Sequence, residues 1–288
     1  MIPFASPITE IIPQRYSCRA FQKIPVAVKQ SQQLEEFAKS IISGPFNTPL
    51  RFELLIAAAG DQNILKGLGT YGAIQNPAGF IIGAAGPGEM HLIDYGFALE
   101  TILLYATALG LGTCWLGGNF TKSSFSRKIK AAKDEIVPAV SPTGYPTEEI
   151  RTRDRMRIKV KSDTRLPWEA LFFKSGFADS LSREDAGAYA VPLDMLQLAP
   201  SAHNYQPWRI VQQDSCYHFY LKRTPGYGPG NLTFILLDVV DLQRMEIGIS
   251  MCHFELAARE LGLAGKWQAL DPILPNPGDL EYIATRET

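Results

Sequence analysis

The chain has 288 residues, 46% of them hydrophobic and 20% charged, with a formal net charge of -1. That apolar content supplies a core for one large domain or two modest ones and argues against disorder, while the near-zero charge argues against a broad nucleic-acid surface. Four dispersed cysteines and four histidines lack CxxC, HxH or HExxH spacing, so they read as core or surface residues of a reducing compartment rather than zinc ligands or a disulfide framework.

The opening MIPFASPITEII lacks a basic segment followed by a long apolar one, so it does not read as a signal peptide. The segment RYSCRAF follows. Arg15, Ser17 and Arg19 alternate in it and, in an extended stretch, point the same way. Two guanidiniums and a hydroxyl on one face suit an anion with hydroxyls attached, such as a ribityl phosphate. Residues 31–42 have helical periodicity, and 51–59 and 78–84 read as strands. The longest apolar stretch, 97–111, is interrupted by Glu100, Thr101 and Thr107. It is shorter than the roughly 20 residues a membrane span needs. The expectation is a soluble, cytoplasmic protein.

In GLGTCWLGGNF, Gly112, Gly117 and Gly118 permit close backbone approach, and free N–H groups there suit a flat ring that gains negative charge on reduction. These glycines follow a helix, so they are not a dinucleotide-binding fingerprint. Residues 141–165, with Pro142, Gly144, Pro146 and many arginines, read as a crossover. Arg151, Arg153, Arg155 and Arg157 fall at every second position and would share one face if extended. They call for an anion or for the acids Glu148, Glu149 and Asp154. Helices are predicted over 165–175 and 188–198, with Pro192 in a first turn. The loop LAPSAHNYQPW offers Ser201, Asn204 and Gln206, hydroxyl and amide groups that suit a polar heterocycle or sugar. Strands are predicted over 208–213, 216–222 and 232–238. Helices and strands do not alternate strictly, so the class is α+β with mixed or antiparallel sheets rather than a doubly wound parallel sheet.

The chain also repeats itself. DYGFALETILLYATALGLGTCW from Asp94 aligns without gaps with EIGISMCHFELAARELGLAGKW from Glu246. Gly96 meets Gly248, Leu109-Gly110-Leu111 meets Leu261-Gly262-Leu263, and Trp115 meets Trp267. Each copy reads as a helix ended by glycine and entering a strand. The first is apolar nearly all round and is expected to be buried; Glu255, Arg259 and Glu260 predict one exposed side for the second. SGPFNTPLRF and PSAHNYQPWR form a second pair, with Pro49 matching Pro207 and Arg51 matching Arg209. A period of about half the chain is not a solenoid. It predicts two halves, 1–160 and 161–288, folded as a fused homodimer around a central buried helix pair.

Four segments together carry a resemblance. RYSCRAF, ALGLGTCWLGG, GYP followed by arginines, and APSAHNYQPW resemble the signatures of the nitroreductase family, FMN-dependent enzymes that draw electrons from NAD(P)H. The APS segment here follows GYP instead of preceding the glycine loop. That order is similar to a compact subgroup of the Thermotoga type, in which one chain imitates the usual dimer. The resemblance covers nearly the whole chain.

The resemblance implies a nitroreductase-like fold and an FMN between the halves. Arg15 and Ser17 would hold the ribityl phosphate and ring edge, and Arg19 the pyrimidine side. Cys114, Trp115, Leu116 and Gly117 would line the ring, with Pro200, Ser201, Asn204 and Gln206 closing the site from the second half. Arg155 or Arg157 would reach the phosphate. GPFNTPL lacks the Ser and Gln of the APS segment, and the second half lacks Arg-x-Ser-x-Arg, so one FMN per chain is expected. The implied activity passes electrons from NAD(P)H to a small acceptor such as a nitroaromatic or quinone, with the flavin as redox centre and no metal. The alternatives are a non-catalytic FMN-binding or sensing protein and a remnant that binds no flavin.

Overall fold

The computed structural model describes residues 4–58, 63–147, 154–236, 238–269 and 278–288. Arg151, Arg153, Glu148 and Glu149 lie outside them.

The first half begins with α1 (Ile8–Gln14) and α2 (Val28–Ser40). Strands β1 (Leu50–Ile56) and β2 (Gly79–Ala85) follow, then α3 (His91–Ala108), β3 (Gly112–Thr113), α4 (Lys122–Lys128) and β4 (Val140–Gly144). The strands pair in the order β1-β2-β4-β3, each antiparallel to its neighbour.

Beyond α5 (Arg155–Lys159) come β5 (Phe172–Lys174), β6 (Asp179–Ser180), α6 (Arg183–Ala186) and α7 (Ala190–Gln197). Then β7 (Trp208–Gln213), β8 (Cys216–Lys222), α8 (Leu232–Leu236), α9 (Leu242–Glu260), β9 (Lys266–Gln268) and β10 (Leu280–Glu287) complete the order. The second sheet runs β6-β5-β7-β8-β10-β9. Its β7-β8-β10-β9 part has the antiparallel order of the first sheet, and β5 is added parallel to β7. The molecule is α+β.

Helices α3 and α9 pack on each other between the sheets, and most of their residues are buried. Glycine sets how close they come. A methyl group on Gly96 would overlap the Met245 carbonyl, and one on Gly248 would overlap the Ile93 carbonyl. Ile93 and Met245 occupy matching repeat positions, so the contact is reciprocal. Both helices stop the same way. Gly110 (φ 77°) and Gly262 (φ 73°) take the left-handed conformation, and Leu111 and Leu263 donate back to the carbonyls of Ala106 and Ala258, each at 2.9 Å.

Four expectations need correction. Residues 165–175 are not a helix: a 3-10 turn at Trp168–Ala170 leads into β5, because its edge finds β7 to pair with. Residues 232–238 begin as α8, not a strand, with the Asn231 side chain accepting from the Thr233 amide at 2.8 Å. Arg155 and Arg157 are helical rather than extended, because Asp154 caps α5 by accepting from the amides of Met156 and Arg157. Glu255 is buried rather than exposed, since Arg286, itself fully buried, pairs with it at 2.7 Å.

Candidate functional site

A cavity of about 920 Å³ opens between the two halves, at the large end of small-molecule sites. Arg15, Ser17 and Arg19 all line it, as their alternation implied. The run between α1 and α2 is fixed by backbone contact, with Cys18 donating to the Thr113 carbonyl at 2.8 Å. Arg15 is nearly enclosed and meets Glu100 of α3 at 3.2 Å. Glu100 is fully buried and also accepts from the Trp115 indole at 2.6 Å and faces the His253 ring of α9 at 2.9 Å. Burial alone would raise its pKa; Arg15 and His253 outweigh that and hold it below the usual carboxylate value. A buried carboxylate thus orients Arg15 toward the cavity. Arg19 pairs with Asp154, the cap of α5, at 2.8 Å.

Trp115, Leu116 and Gly117 line the cavity beside Gly118. A methyl group at Gly117 would overlap the Leu242 side chain, so the close approach here is to α9. Cys114 does not reach the cavity. It is buried in the first half's core, and its amide donates to the Ser141 hydroxyl. Burial raises its thiol pKa despite Arg19 and Arg15 nearby.

Both α5 arginines line the cavity, and they differ. Arg157 is buried, pairs with Asp163 and lies over the Tyr16 ring at 5.3 Å; Arg155 is exposed. From the second half, Pro200, Ser201 and Asn204 line the cavity. Gln206 does not. It is buried, its Oε1 accepts from the Leu166 amide at 2.9 Å, and its Nε2 donates to the Asn204 carbonyl. Asn204 donates to the carbonyls of Lys161 and Thr164. The two amides therefore fasten the 161–166 segment to the loop. His203, Asn204 and Gln206 all have φ between 49° and 60°, local strain of a kind that collects at functional loops.

That fastened segment carries Arg165, which donates to the carbonyls of Ser162, Thr164 and Leu198. Burial, with Arg15 and Arg157 adding like charge, lowers its pKa to about 10. Three guanidiniums thus converge at one end of the cavity. Arg15 Nη1, Arg165 Nε and Ser162 Oγ are buried there without a hydrogen-bond partner among the described residues. Buried donors in that state call for an acceptor.

The family described as "Putative TM nitroreductase" matches residues 7–258. The chain belongs to this family. A putative nitroreductase of Thermotoga maritima MSB8 covers 98% of this chain and 94% of its own, at 22% identity and a TM-score of 0.59, which speaks for the fold. A nitroreductase family protein of Clostridium novyi NT covers 50% of this chain and 89% of its own, at 23% identity and a TM-score of 0.41. No curated protein matches the chain. No helix among the described residues is long and apolar enough to cross a membrane.

Several residues lining this nitroreductase-family cavity lie outside those four motifs: Gln75, Arg165, Tyr227 and Glu246. Arg165 stood in plain view beyond the arginine run, but nothing in the spacing set it apart. Glu246 had a signal. It heads the second repeat segment where Asp94 heads the first, and an acid kept at a buried repeat position invites a search for its partner.

Proposed function

We propose that the cavity holds one FMN and that the protein is a flavin-dependent oxidoreductase taking electrons from NAD(P)H. The observation that carries the reading is the cluster of Arg15, Arg157 and Arg165 with unpaired buried donors at one end of a cavity closed by both halves. A phosphate is the acceptor those donors fit. Arg15 and Ser162 would hold it with Arg165, while Asn204 and Gln206 keep the Arg165 segment in place. Trp115, Leu116 and Gly117 on one side and Pro200, Ser201 and Leu242 on the other would hold the ring. The two halves, 1–160 and 161–288, would then act as the two subunits of a dimer within one chain.

When bound, FMN supplies the two-electron chemistry, accepting a hydride from reduced nicotinamide and giving one to a nitroaromatic or quinone. The chain's part is to bind, orient and exclude water. Arg19, steadied by Asp154, keeps a positive charge at the wall, where it stabilises negative charge on a reduced ring. Glu100 keeps Arg15 aimed and neutralises it from behind.

The test is flavin quantification on purified protein, followed by NAD(P)H oxidation with a nitroaromatic or quinone acceptor. One FMN per chain and turnover are expected. Two flavins per chain, or none, would overturn the composite site; bound flavin without turnover on any acceptor would mark a sensing protein instead.

A further inference from the structure

Glu246 sits near the start of α9, 3% exposed, on the cavity wall beside Leu242, Met245 and Ile249. Its Oε1 accepts from the Ala202 amide at 2.7 Å. Its Oε2 is buried with no hydrogen-bond partner among the described residues. No cation pairs with it among those residues either.

The described ionisable groups that act on it offer no countercharge, and the cavity arginines are not among them. Asp241, on the same helix, adds like charge and is already bound to Arg223 at 2.7 Å. Arg223 and Arg244 both turn to Glu281. Tyr227, from the loop before α8, interacts with Glu246, and the rings of His203 and Tyr205 pack on Tyr227. Asp94, at the matching end of α3, is spent on the amides of Phe46 and Thr48. An ionised carboxylate in this place would be buried without compensation. Burial, countered in part by the Ala202 amide and reinforced by Asp241, pushes the Glu246 carboxyl up from 4.5 to about 8. A carboxyl group kept neutral in an apolar pocket is a hydrogen-bond donor.

We propose that Glu246 is a specificity-determining residue, presenting the proton on Oε2 to an oxygen of an uncharged acceptor, a quinone carbonyl or a nitro group, and turning carboxylate ligands away. The proposal rests on the reading of the cavity as a flavin site that also admits the acceptor. No atom is transferred in this contact; the proton stays on Glu246.

The experiment titrates the FMN-loaded protein with nitrobenzene and with benzoate between pH 6 and 9.5, followed by the flavin absorbance. Nitrobenzene affinity is expected to be near its plateau at pH 7 and about tenfold weaker at pH 9, the loss that a group titrating at about 8 imposes. Benzoate is expected to bind weakly throughout. Glu246→Gln keeps a donor and should flatten the nitrobenzene profile. Overturning results are a flat profile in the unaltered protein, a profile unchanged in Glu246→Gln, no nitrobenzene binding, or tight benzoate binding at pH 7. Flavin uptake separates the two readings. A protein that takes up no FMN overturns the cofactor assignment, and the same titration, followed by tryptophan fluorescence, to which Trp115 in the cavity wall contributes, then tests Glu246 alone.

Discussion

The loops that precede β1 and β7 occupy matching places in the two halves and do different things. In the first, Asp94 accepts from the amides of Phe46 and Thr48, at 2.9 and 2.8 Å, and Gly44 lies against the Asp94 backbone with no room for a side chain. Phe46 packs into the apolar cluster of the second half. In the second loop, Glu246 stands at Asp94's position and accepts one amide instead of two. Asn204, at Phe46's place in the alignment, holds the carbonyls of the Arg165 segment. One loop is sealed onto the core and the other opens onto a cavity. The two sheets share a strand order, and a few loop side chains decide which loop is sealed and which lines the cavity.

The comparison depends first on the helix crossing, and the sharpest way to break it is there. Gly96→Ala and Gly248→Ala each put a methyl group into the carbonyl of the partner helix. In an exposed helix the same change would stabilise by about 1 kcal/mol. Here each is expected to destabilise by about 3 kcal/mol or more, through overpacking against backbone that has no room to move. Urea unfolding of the two variants measures this. Tolerance of one substitution and not the other would show that the crossing is not reciprocal in energy.

The next prediction concerns the open side. Arg165→Gln removes one of the converging guanidiniums and should weaken FMN binding about 10- to 30-fold, roughly 2 kcal/mol, the size of a charge-assisted contact. Riboflavin, which lacks the phosphate, should lose less than about threefold on the same scale. Equal losses for the two flavins would mean that Arg165 only braces the carbonyls of Ser162, Thr164 and Leu198.

Much of this was legible in the sequence because it is local or repeated. The glycine stops at Gly110 and Gly262, the strands β1, β2, β7 and β8, and the helices matched through Gly96 and Gly248 follow from period and punctuation. The alternation of Arg15, Ser17 and Arg19 placed all three on one wall. What sequence missed depends on distant partners. Asp154 turned the Arg155 and Arg157 end of an apparent arginine stripe into α5 by capping it, and β7 drew Phe172–Lys174 into a strand. Gln206 looked like a ligand amide, yet the Leu166 amide claims it. Arg165 acquires its place only because Asn204 and Gln206 fasten its segment. An apolar run such as 232–236 fits strand or helix equally, and the Asn231 cap decides it.

Replacing each acid with its neutral amide tests the two loops directly. Asp94→Asn keeps one acceptor where two amides need one each, and should cost about 1 kcal/mol at pH 7. Glu246→Gln should act in the opposite sense. The folded protein holds the Glu246 proton up to about pH 8, whereas an unfolded chain releases it near 4.5. Between those values the folded state binds the extra proton, so this group's contribution to stability falls as pH rises and levels off above about 8. Gln has no proton to lose. The variant should therefore match the parent below pH 4.5, gain about 2 kcal/mol by pH 6, and gain no more above about pH 8. Thermal melts across that range read the difference. An advantage that instead shrinks with rising pH would place a charged, paired carboxylate at Glu246, and the two loops would then differ in shape but not in the state of their acids.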